Sequence, residues 1–238
     1  MGIRMKISKK TARVAGVLWL LMSVFGLFSQ MGFRERVFII DNLAMTADNI
    51  LSDQFLFRLG VASELIMLIC YLLTGLVLYR LLAAIHKDLA SLMVVFVILG
   101  TAIGMLNVLN EFASLYVLTK EVYQNVFTEV QLQAQAMTYY DLYEHGYVIA
   151  HIFFSLWVLP LGLLIYQSKF IPKIFGVLFV IETILGLLSA GIHFLYPNSS
   201  LELNLLWVSA VAEFSFMLWL LIRGINTSKV NVATEILS

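Results

Sequence analysis

The chain has 238 residues, of which 61% are hydrophobic and 13% charged, and its 15 Lys and Arg balance its 15 Asp and Glu. Water-soluble domains are about 45–50% apolar and about 25% charged, so this excess marks a chain with much of its surface in lipid. Zero net charge excludes a bulk attraction to nucleic acid, and a single cysteine, Cys70, excludes an intrachain disulfide and a cysteine-rich zinc or iron–sulfur site.

Lipid offers the backbone no hydrogen-bond partners, so a chain crosses it as helix, and a core of about 30 Å takes about 20 apolar residues. Six segments have that length: 14–31, 59–80, 90–112, 142–166, 174–195 and 203–222. The predicted fold class is therefore all-α, a polytopic bundle of six transmembrane helices in one domain over 1–238. The first segment follows Arg4, Lys6, Lys9, Lys10 and Arg13, as a signal peptide would. It is long enough to span and lacks a small-x-small cleavage pattern, so it is read as a retained helix.

Six crossings place both termini on one side. A cytoplasmic N-terminus gives the inner side Arg4, Lys6, Lys9, Lys10, Arg13, Arg80, Lys87, Lys169, Lys173, Arg223 and Lys229, and leaves Arg34, Arg36, Arg58 and Lys120 outside. That bias predicts both termini in the cytoplasm. The outer loop 32–57 holds capping residues (Asp41, Asn42, Thr46, Asp48) and apolar residues (Ile39, Leu43, Ile50, Leu51, Phe55) suited to a short interfacial helix. The outer loop 115–138 predicts a second such helix. Pro172 suits the first turn of the fifth helix, whereas Pro160 falls inside the fourth and predicts a kink. Gly100 and Gly104 permit a close helix approach.

Several stretches resemble a bacterial family of multi-pass membrane proteins classed as a domain of unknown function. They are Ala12-Arg13-Val14-Ala15-Gly16-Val17-Leu18-Trp19-Leu20, Leu56-Phe57-Arg58-Leu59-Gly60, Asn107-Val108-Leu109-Asn110, Tyr166 to Gly176 and Trp219 to Gly224. The most specific is the loop Tyr166-Gln167-Ser168-Lys169-Phe170-Ile171-Pro172-Lys173. The resemblance implies a bacterial inner-membrane protein and supplies no activity and no catalytic residues.

Polar groups inside the spans are the candidate site. A charge at mid-bilayer costs about 2.5–3.5 kcal/mol on insertion scales, which a dozen apolar neighbours offset, but it then needs a protein-facing or water-facing position. With the orientation above, Glu64 lies about 7–9 Å below the outer boundary. Asn107, Asn110 and Glu111 share one face near that depth. The fourth helix carries Asp141, Glu144, His145 and His151 in its outer half. Glu182, Gly186, Ser189 and His193 form one stripe on the fifth helix, and Glu213 sits near the midplane of the sixth. The grouping predicts a polar cavity open to the outside, with Arg34, Arg36 and Arg58 at its rim, where they attract an anionic head group or pair with Asp141 and Glu144. Each residue also has a plain structural reading: the asparagines as interhelical hydrogen-bond partners, Glu182 and Glu213 bonded to each other or to a serine, and Tyr139, Tyr140, Tyr143 and Tyr147 as an interfacial belt.

Three functions fit that pattern. The first is binding, transport or sensing of a small polar or lipid-like ligand, with the bilayer and that ligand as partners and no nucleic acid. The second is a metal-dependent intramembrane hydrolase using His145, His151 or His193 with Glu64, Glu111 or Glu144. His145 and His151 are six residues apart, on different helix sides, which weakens it. The third is haem or quinone redox chemistry, with His145 and His193 as axial ligands and His86 on the opposite side. The cofactor is unknown on all three, and His151 is the first residue to substitute.

Overall fold

The computed structural model describes residues 8–196 and 201–225, with the backbone alone over 201–208. Arg4, Lys6 and Lys229, counted above among the inner cations, lie outside the described residues. All regular structure among the described residues is helical. In order the elements are α1 (Lys9–Leu27), a π-helical segment (Phe28–Arg34), α2 (Glu35–Val37), α3 (Leu43–Ser52), α4 (Gln54–Leu82), α5 (Lys87–Thr119), α6 (Glu121–Gln124), α7 (Glu129–Leu156), α8 (Val158–Gln167), α9 (Lys173–Leu195) and α10 (Leu201–Ile222).

Five stretches are long and apolar enough to cross a membrane: Lys9–Val37, Gln54–Leu82, Lys87–Thr119, Glu129–Gln167 and Lys173–Leu195. Large apolar side chains stand outward along them, such as Leu106 at 68% and Leu109 at 65% exposure. Water would penalise such a surface, and lipid does not. The chain is thus an all-α, multi-pass membrane protein. The sixth expected segment, 203–222, is helical as α10, and the apolar stretch with described side chains there is Ser209–Ile222.

Two boundaries correct the sequence reading. The first helix does not stop at residue 31: α1 runs through the π-helical segment into α2 and ends at Val37. Arg34 is therefore helical and buried, not part of an outer loop. The second concerns 115–138, expected as a loop with an interfacial helix. Helix α5 continues to Thr119 and α7 begins at Glu129, leaving a short connection with α6 in it. The start of α7 is polar, with Gln131, Gln133 and Gln135, so hydropathy missed it, although Gln, Ala, Met and Glu are good helix formers.

Other expectations hold. Helix α3 forms within 32–57, and the Asn42 side chain accepts from the Met45 N–H at 3.0 Å as its N-cap. Pro160 has its effect one turn upstream: it lacks an N–H for Leu156 and crowds that carbonyl, and the helix breaks at Trp157 between α7 and α8.

The contacts divide into two compact units. One comprises residues 1–20, 70–101 and 148–238; the other, residues 21–69 and 102–147. The first has an aromatic core around the buried Trp19, whose ring lies 5.7 Å from Trp157, 6.2 Å from Phe179 and 5.6 Å from Phe216. Beside it α8 and α9 pack almost backbone to backbone: a Cβ on Gly162 would lie 2.8 Å from the Gly176 carbonyl oxygen, and one on Gly176 2.6 Å from that of Gly162. In lipid, where the hydrophobic effect does not press helices together, such close approach supplies the packing energy. The loop between them is held by Ser168, whose hydroxyl donates to the Ile165 carbonyl at 2.8 Å and accepts from the Ile171 N–H at 3.2 Å.

Candidate functional site

The second unit contains a buried ionic cluster built from four elements. It begins with the π-helical segment. A wider turn, with each N–H bonding five residues back, inserts about one extra residue and rotates the remainder of the helix by about 100°. Ser29, Phe33 and Arg34 are all buried there. The Ser29 hydroxyl donates to the Gly60 carbonyl of α4 at 3.2 Å, which holds the segment against that helix.

Arg34 is 5% exposed, Glu64 of α4 1%, Glu111 of α5 0% and Tyr143 of α7 1%. The Arg34 Nε donates to Glu111 Oε1 at 2.6 Å, and its Nη2 donates to Glu111 Oε2 at 3.4 Å. The same Nη2 pairs with Glu64 Oε2. Nη1 donates to Gln30 Oε1 at 3.4 Å. The Tyr143 hydroxyl donates to both Glu64 oxygens, at 2.9 and 3.0 Å, and its ring faces the guanidinium with Cζ 4.6 Å from the centroid. One guanidinium is thus held by two carboxylates and an aromatic face, a set of charge-assisted contacts that strengthens as water is excluded.

A second layer orders α5 against α7. Asn107 Nδ2 donates to the Tyr143 carbonyl at 2.7 Å, and Asn110 Nδ2 donates to Asn107 Oδ1 at 3.1 Å. Gly146 makes this possible, because any Cβ there would collide with the Asn107 amide. The Ser114 hydroxyl donates to the Ala136 carbonyl at 2.8 Å, about two turns further along both helices. A ladder of rings flanks the cluster: Phe38 stacks on Tyr140 at 3.8 Å, Tyr140 on Tyr143 at 6.2 Å, and Tyr147 follows at 6.3 Å.

The structure sorts the candidates accordingly. It brings Glu64, Asn107, Asn110 and Glu111 together, with Arg34 at the centre rather than at a rim. Glu144 is exposed on α7, beside Tyr140 and within electrostatic reach of Glu111. Asp141 and His145 are exposed neighbours on the same helix. Arg36 and Arg58 are exposed, and the Arg58 guanidinium lies 5.8 Å from the Phe112 ring centroid. The pairing expected of the rim arginines with Asp141 and Glu144 is replaced, for Arg34, by Glu64 and Glu111.

The remaining candidates belong to the first unit. Glu182 and Glu213 lie in side-chain contact with each other, with Trp19 beside Glu213. His151 is half-buried, its Nδ1 3.4 Å from the Ser155 hydroxyl, which packs against Gly186. His193 is half-buried near the end of α9 against the Phe194 ring. Among the described residues, no group of three or more His, Cys, Asp or Glu side chains is placed to hold a metal ion. His145, His151 and His193 are not assembled as a ligand set.

Sequence reasoning missed Arg34 as the hub, Tyr143 as a carboxylate partner, and Gln30. One signal for Tyr143 was available: Tyr140, Tyr143 and Tyr147 recur at i, i+3 and i+7, the spacing of one helix face.

Fold and cluster together define a multi-pass α-helical membrane protein with charged side chains buried in its spans. A family model described as Domain of unknown function (DUF4386) matches residues 14–224, and the chain belongs to that family. No curated protein and no solved structure matches the chain.

Proposed function

We propose that this is a membrane-embedded binding protein for a small polar or lipid-like ligand, serving transport or sensing, with its site at the cluster of Arg34, Glu64 and Glu111. In this reading the chain crosses the bacterial inner membrane six times, both termini are cytoplasmic, and the site opens toward the outer leaflet. The Lys and Arg bias of the loops supports that orientation. A reporter fused to the C-terminus that is active only in the periplasm would overturn it.

One observation carries the reading: three ionisable side chains, each 5% exposed or less, meet within apolar helices. Packing alone does not call for them, because replacing a buried ion group with apolar residues of similar volume is often neutral or stabilising. Ionisable residues within spans are by default a functional feature.

The test uses the variant Arg34→Met/Glu64→Leu/Glu111→Leu, which removes all three charges and strands none. Purified side by side, both proteins are analysed by mass spectrometry for molecules that survive delipidation. The expected result is a folded variant lacking a molecule that the parent retains. A variant retaining every molecule that the parent holds, at the same stoichiometry, sinks the proposal.

A further inference from the structure

We infer that the ligand of this site carries a positively charged nitrogen. The inference rests on the binding reading above and adds the sign of the charge. It opposes the expectation from sequence that arginines recruit an anionic head group, because Arg34 is already committed. Its Nε and Nη2 are bound to Glu111 and Glu64, and its Nη1 to Gln30. An anion would have to displace a carboxylate that is itself buried, and would bring a third negative charge to a single guanidinium.

The charge count runs the other way. Arg34 faces Glu64 and Glu111 directly, and Glu144 lies within electrostatic reach of Glu111. Two carboxyl groups thus hold one cation, and a third stands near one of them. Two cations of the same helices have neighbours of their own: Arg58 of α4 lies toward Phe112, and His145 of α7 stands beside Asp141. A second cation completes the set.

The geometry also shows how a cation is held here. Arg34 sits between carboxylates and the face of Tyr143. Tyr140, Glu144 and Tyr147 repeat those ingredients, an acid between two rings, at i, i+4 and i+7 on one face of α7. This part is reachable: Glu144 is exposed, and Tyr147 is 37% exposed. Ammonium groups are attracted to the faces of such rings as well as to the acid. The ligand class is therefore a molecule carrying a cationic nitrogen.

The experiment keeps the full chain in micelles of dodecyl maltoside, an uncharged detergent without nitrogen. It compares dodecylamine, dodecanol and dodecanoic acid near neutral pH, with empty micelles as background. One tail with three heads isolates charge. Dodecylamine is expected to bind about tenfold more tightly than dodecanol, with the acid weakest, and Glu144→Gln to abolish that preference. Butylamine separates sources: affinity equal to dodecylamine assigns the ligand to the aqueous phase and still supports the charge, while weaker binding assigns it to the bilayer. If the acid or the alcohol matches the amine, the charge inference falls and the binding reading stands. If none gives saturable binding above background, the inference also falls, and the molecules retained by the purified protein judge the binding reading separately.

Discussion

Arg34 and Glu111 are 77 positions apart in the chain and meet in a two-pronged pair, Nε to Oε1 at 2.6 Å and Nη2 to Oε2 at 3.4 Å. The π-helical segment brings one partner and the long apolar helix α5 the other. Both side chains are out of solvent, so the pair joins the first helix to α5 by a contact that water does not weaken. Glu64 and Tyr143 extend it to α4 and α7.

Removing one partner should be far worse than removing all. Arg34→Met leaves Glu64 and Glu111 buried without their counter-charge, and loss of about 3–5 kcal/mol is expected. Arg34→Lys should not restore it, since an ammonium lacks the planar fork that meets a carboxylate with two parallel bonds. Unfolding in mixed detergent measures both. Rescue by lysine to parental stability would mean that charge alone suffices and that the fork is irrelevant.

Tyr143 makes two separable contributions. Tyr143→Phe deletes the hydroxyl bound to Glu64 but keeps the ring over Arg34, and should cost about 1.5–3 kcal/mol, the usual worth of a hydrogen bond to a charged group. Tyr143→Leu also removes the ring and should cost about 0.5–2 kcal/mol more through the lost cation–π contact. Equal stability of the two variants would leave the ring no electrostatic role.

The spans were legible because an apolar run of bilayer length has one physical solution. The shared face of Asn107, Asn110 and Glu111 and its match in depth to Glu64 followed from helix geometry alone. Arg34 was not legible. The apolar run ends at Met31, and nothing in Phe28–Arg34 announces a wider turn, so the arginine read as the start of a loop. Its burial depends on partners from α4 and α5 that only the tertiary structure supplies. Tyr143 failed for a related reason: an interfacial tyrosine and a buried one look alike until the neighbouring carboxylate is placed. The Glu182–Glu213 contact was one of several readings left open by the sequence, beside a cavity floor and a bond to a serine.

The close approach of α8 and α9 predicts opposite outcomes for one substitution at different glycines. Gly162→Ala and Gly176→Ala place a methyl against the facing carbonyl and should each cost about 1–3 kcal/mol, as overpacking does. Gly191→Ala, in the same helix as Gly176, meets nothing within 4 Å and should gain about 0.5–1 kcal/mol from helix propensity. Thermal unfolding of the three variants reads the contrast. Equal effects at all three positions would rule out backbone contact as the cause.

Glu182 and Glu213 offer a chemical test of the first unit. The two carboxyl groups lie side by side within apolar helices, with the Trp19 indole beside Glu213. Carboxylate oxygens only accept, so two carboxyl groups that share a hydrogen bond need a proton on one of them. Hydrophobic carbodiimides react with protonated carboxyls and partition into the membrane, so this pair should take up one adduct per chain. Peptide mass spectrometry would place it on Glu182 or Glu213. Glu182→Gln/Glu213→Gln should abolish that adduct, whereas Asp141→Asn, at an exposed position, should leave it in place. A parent protein that stays unlabelled at both glutamates would mean that the two side chains do not share a proton.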